Sequence, residues 1–152
     1  MTEPPRHYLP DDLGTRLLDE WERGTEVAER DEHSALTIWL SCWAELPDGE
    51  VPWFEREYDF PIAAVLCQTL AEAYLHQGVP DAALEHARRL TRLSTNPVDT
   101  SPHVVLGMAA RDAGRDDEAL RSFATAHEIG GPRAFRGYPS RYWQFFRESR
   151  RG

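Results

Sequence analysis

Apolar residues recur along this chain at the three- and four-residue spacing that lays them on one face of a helix. Ile62, Val65, Leu66, Leu70, Ala73 and Tyr74 form one such stripe, and Val105, Leu106, Ala109 and Ala110 form another. Each is followed by a glycine, Gly78 or Gly114, suited to the left-handed position that ends a helix. An acidic opening comes next, VPDAAL or RDDEAL, where Asp81 and Asp116 or Asp117 cap or favour the start of a second helix. That second helix carries Ala83, Leu84, Ala87 and Leu90 in one case, and Ala119, Leu120, Phe123, Ala126 and Ile129 in the other. The pattern predicts two helix pairs, over 61–93 and 102–130.

The two pairs are copies of one unit. Residues 67–90 align without a gap on residues 103–126, an offset of 36. Leu70 falls on Leu106, Ala73 on Ala109, Gly78 on Gly114, Asp81 on Asp117, and Ala83-Leu84 on Ala119-Leu120. Small residues coincide as well, Ala71 on Gly107, where a neighbouring helix can approach closely. Upstream, SALTIWLSCWAEL places Ala35, Ile38, Trp39, Cys42, Trp43 and Leu46 on one helix face. A helix before it carries Leu13, Leu17, Leu18 and Trp21, so 11–46 reads as a divergent third pair. Its Gly24 is not where the repeat would place a glycine. Residues 47–60 form a connector with four aromatics, expected to pack onto the helices with a short helix at 53–58. Residues 139–150 predict a last helix, with Ser140 as its N-cap and Tyr142, Phe145 and Phe146 on a sticky face. Stacked helix pairs need such a cap over the final exposed stripe.

The repeat resembles the tetratricopeptide repeat. Leu70, Ala71, Tyr74, Gly78, Ala83 and Ala87 fit the motif in one copy, and Leu106, Gly107, Ala110, Gly114, Ala119, Phe123 and Ala126 fit it in the next. The departures are Leu90 where alanine is usual, the 36-residue period in place of 34, and a closing proline blurred into the TNPVDTSP segment. The resemblance implies an all-α fold: a single domain over 1–152, a short right-handed superhelix of about three antiparallel helix pairs with a C-terminal capping helix. The order ALTIWLSCWAELP, STNP and RYWQFF also resembles small bacterial tetratricopeptide proteins often encoded beside polymorphic toxins. That resemblance implies an immunity-like protein.

Charge sharpens the picture. The net charge is −9, but residues 1–60 carry −11, residues 61–132 carry −3 and residues 133–152 carry +5. Such a field repels phosphate and argues against nucleic acid as a partner. It suits a basic partner on the N-terminal part, although acidic helices are also what a solvated surface looks like. All 17 basic residues are arginine, as a GC-rich genome would produce. No apolar run approaches the roughly 20 residues that span a bilayer. The opening MTEPPRHYLPDDLG has no apolar core of a secretory signal, and Cys42 and Cys67 sit in apolar contexts as buried thiols. These features set the expectation of a cytoplasmic home.

Catalytic chemistry finds no foothold. The six histidines make no HExxH and no Cys/His metal spacing, and phosphate-loop and nucleophile-elbow motifs are absent. The expectation is a non-enzymatic protein without metal or cofactor. The groove positions of the repeat carry over to Val65, Gln68, Glu72, Leu75 and His76, and to Ser101, Val104, Met108, Arg111 and Asp112. Two readings stay open for them, a surface for a basic toxin domain or peptide segment, and ordinary helix surface. A second patch could form from Arg133, Arg136, Tyr138, Arg141, Tyr142 and Trp143, residue types that dominate interface energies. The alternative is that this end caps the core. Homodimerisation through Trp53, Trp143 or Phe146 is a third role to weigh.

Overall fold

A computed structural model describes residues 5–151. The fold is all-α. Helices α1 (Asp11–Ala28), α2 (Glu32–Ala44), α3 (Ile62–His76), α4 (Pro80–Leu93), α5 (Ser101–Asp112), α6 (Asp116–Gly130) and α7 (Ser140–Ser149) follow in order, with a 3₁₀ turn at Gly131–Phe135 before the last. The closest packing is α1 on α2, α3 on α4 and α5 on α6. Each pair is joined by three residues, so its helices run antiparallel. Neighbouring pairs then stack: α3 touches α1 and α5, α2 packs on α3, and α4 on α5.

Burial follows from that order. Helix α3 is central and hides Ile62, Ala63, Leu66, Cys67, Leu70, Ala71 and Ala73, far more than one stripe. Helix α4 lies outside it and hides a stripe, Ala83, Leu84, His86, Ala87, Leu90 and Leu93. One apolar cluster runs through the stack from Leu9 to Phe146.

The repeated turn is built twice in the same way. Gly78 and Gly114 take φ of 73° and 79°. The next residue closes the turn in each copy, Val79 N donating to Tyr74 O at 2.9 Å and Arg115 N to Ala110 O at 2.8 Å. The expected aspartate caps are absent. Val79 and Arg115 hold the N-cap positions without a side-chain bond, and Asp81, Asp116 and Asp117 lie inside the first turns. There they act on the helix dipole. Ser140 likewise is the first residue of α7, after Pro139.

The connector differs from its expected form. Instead of a helix at 53–58, Trp53–Phe54 is a short strand, β2, paired in parallel with β1, His7–Tyr8. Flanking prolines and aromatic side chains favour extended backbone here. Glu55 then exchanges backbone hydrogen bonds with Phe60. Its buried carboxylate accepts from the N–H groups of Glu57 and Tyr58 at 2.8 and 2.9 Å, which holds the loop with Asp59 at φ 54°. Gly24, the residue that did not fit the repeat, lies against Trp39, whose indole donates to Trp21 O at 3.2 Å.

His86 is a charge-sensitive point of the core. Its ring stacks on Tyr74 at 5.9 Å and meets Trp43 edge-on at 6.0 Å, and its Nδ1 has no hydrogen-bond partner. Burial, then the Arg89 guanidinium, pulls its pKa down, against a smaller pull from Glu85. A lowered folded-state pKa means that the unfolded chain takes the proton first. Stability from this residue is therefore full above about pH 6.5 and falls as pH drops below it. Lowering the pH is expected to cost the protein more stability than it costs His86→Leu, read from their melting curves, because the variant lacks that penalty. A constant gap between the two would remove His86 as the cause.

Candidate interaction site

The predicted groove residues divide between two places. Val65 and Gln68 border a cavity of about 120 Å³ under β2, closed by Trp53, Phe54 and the 94–96 loop. Glu72, Leu75, His76 and Met108 border a second cavity of about 280 Å³, whose other wall is Tyr138, Arg141 and Tyr142. Four of the groove residues and three of the C-terminal patch therefore meet at one cavity. Segment 137–142, turned by Gly137 at φ 84°, lies across helices α3 and α5.

The packing places several predicted groove residues elsewhere or engages them within the chain. Val104 is fully buried and Met108 is 4% exposed, so the first belongs to the core and the second is a wall of the cavity. Ser101 opens α5, its N–H donating to Asp99 at 3.0 Å. Arg111 pairs with Asp116 at 2.9 Å and stacks over Phe145 at 4.1 Å. Asp112 accepts both Arg141 nitrogens at 3.0 and 3.2 Å and the Tyr142 hydroxyl at 2.9 Å. These two residues are spent on holding α7.

The C-terminal patch is also divided. Tyr142 and Phe146 are 2% and 3% exposed and pack around Phe123, so this helix covers the core. Trp143 turns elsewhere, onto Phe135 at 5.0 Å and His127 at 6.0 Å. Arg133 and Arg136 are exposed. Phe146 cannot serve as an exposed dimer contact, and Trp53 and Trp143 are half-buried.

Electrostatics single out Glu72. Burial pushes its pKa up, opposed by the His76 ring and the Gln68 amide. His76 itself is taken by Glu32 at 2.9 Å. The Tyr138 phenol is raised by burial, opposed by Ser101 and reinforced by the carboxylates of Glu72 and Asp99. Tyr142 is raised by burial and by its bond to Asp112. Cys42 and Cys67 are both buried, which pushes their thiols up to about 11 and about 12. Neither is placed to be a thiolate near neutral pH. Among the described residues no group of three or more His, Cys, Asp or Glu side chains is arranged to hold a metal ion. No described helix is long and apolar enough to cross a membrane.

The sequence missed that 137–142 would form one wall of the groove. The Gly-Tyr-Pro triplet at 137–139 was the available signal, since it marks a sharp turn directly before a helix.

Helix pairs stacked in chain order, with a mixed polar and apolar cavity between two of their first helices, form an all-α scaffold with a cleft. The chain matches no protein-family model and no curated protein.

Proposed function

We propose that this chain is a non-enzymatic, tetratricopeptide-like binding module that holds a partner protein in the cleft between α3, α5 and segment 137–142. The observation that carries the reading is the cavity itself. Four groove positions named from the repeat, Glu72, Leu75, His76 and Met108, line it together with Tyr138 and Arg141. The 36-residue repeat and its twice-built glycine turn support the tetratricopeptide assignment. The resemblance to small bacterial proteins encoded beside toxins makes the specific form an immunity-like protein. It would occlude a basic toxin domain in the cytoplasm, and the charge of −11 over residues 1–60 suits that partner.

The test is co-purification with the products of the adjacent genes. One of them is expected to bind, and Leu75→Glu, which places a charge on the cavity floor, is expected to weaken binding by about tenfold or more. Failure of every neighbour to bind removes the immunity form. Equal binding by Leu75→Glu removes the cleft.

A further inference from the structure

The charges around the 280 Å³ cavity do not cancel. Asp112 is matched by Arg141, and His76 by Glu32. Glu72 makes no ion pair among the described residues. It is half-buried, with the aliphatic side chains of Leu75 and Met108 and the ring of Tyr138 on the same cavity. A carboxylate removed from water in this way is costly unless a cation meets it. Burial raises the Glu72 pKa from its ordinary value, against smaller opposing effects of His76 and Gln68.

We propose that the cavity receives an arginine side chain of the bound partner, its guanidinium on Glu72 and its methylene stem along Leu75 and Met108. The chemistry of each wall fits that guest. Long basic side chains bury their stems on apolar surface while the head seeks a charge. A guanidinium forks onto a carboxylate and stacks on a phenol ring, which an ammonium does less well. The assignment rests on the binding-module reading and names the chemistry that the module selects.

Nuclear magnetic resonance titration of the full chain with N-acetyl-arginine amide tests it, with N-acetyl-citrulline amide as the uncharged control. The arginine amide is expected to give saturable shifts at Glu72, Leu75, Met108 and Tyr138 at millimolar concentration. The citrulline amide is expected to give none. Glu72→Gln, nearly identical in size, is expected to weaken arginine binding about tenfold, the scale of one charged hydrogen-bonded contact. No saturable shift, equal response to citrulline, or unchanged binding by Glu72→Gln each overturns the arginine site. A partner protein that binds Glu72→Gln as tightly as the parent, yet loses affinity for Leu75→Glu, overturns the arginine site and leaves the binding module standing.

Discussion

Phe123→Ala is expected to lower the unfolding free energy by about 3–5 kcal/mol, the range for deleting a buried aromatic ring. Phe123 is fully buried, and its ring meets Phe135 at 5.5 Å, Tyr142 at 6.1 Å, Phe146 at 6.2 Å and Phe145 at 6.4 Å. It joins α6, the 3₁₀ turn and α7, so its loss opens a void where three elements converge. Against a total stability of about 5–15 kcal/mol, that is a large fraction. Urea denaturation should show the midpoint falling. A smaller slope as well would mean that α7 has come away in the variant's native state.

The same ring explains Gly107. A Cβ built there would lie 2.4 Å from Phe123 Cε1 and 2.5 Å from Cδ1. Gly107→Ala therefore gains about 1 kcal/mol of helix propensity but forces a packed ring to move, at about 1–3 kcal/mol. Alone it should destabilise. Placed on Phe123→Ala, it meets no ring and should stabilise. Additive effects in that double-mutant cycle would sink the account.

Gly24→Ala is expected to destabilise by about 2 kcal/mol, once overpacking and a weakened hydrogen bond are set against the helix propensity gained. The new Cβ would stand 2.4 Å from Trp39 Nε1 and 2.8 Å from its Cδ1. The indole is buried and already anchored to Trp21 O, so it cannot swing aside and keep that bond. In a chain of this length, the melting temperature should fall by about 4–8 °C. Trp39→Leu should cost less in the Gly24→Ala background than in the parent, because the smaller side chain relieves the contact. A melting temperature that rises in Gly24→Ala would show that propensity wins and the contact is loose.

Glycine thus means different things at different places in this chain. Gly78 and Gly114 were legible because a turn glycine advertises itself: it follows an apolar stripe and precedes an acidic opening. Gly107 was legible in kind, as a small residue inside a repeated helix. Which ring it admits was not legible. Gly24 looked like a flaw in the first pair, and its reason is a tryptophan from the next helix. The connector was misread for a related cause. Trp53–Phe54 become a strand because the N-terminal His7–Tyr8 arrives beside them. That pairing joins residues far apart in the chain, and no local pattern announces it.

The candidate site followed the same division. Glu72, Leu75, His76 and Met108 could be named from their places in a repeated helix, and the structure brings them to one cavity. Arg111 and Asp112 occupied equivalent places and were named for the same reason. They are instead bound by Asp116, Arg141 and Tyr142. Helical class, pair boundaries and the repeat are written in short-range periodicity, because a helix satisfies its own backbone and shows its buried face every three or four residues. The wall made by 137–142, the strand pair, and the choice of Glu72 over Asp112 as the unmatched charge arise from contacts across the chain. Those depend on how the N-terminal strand and the last helix fold back onto the stack, which sequence spacing does not record.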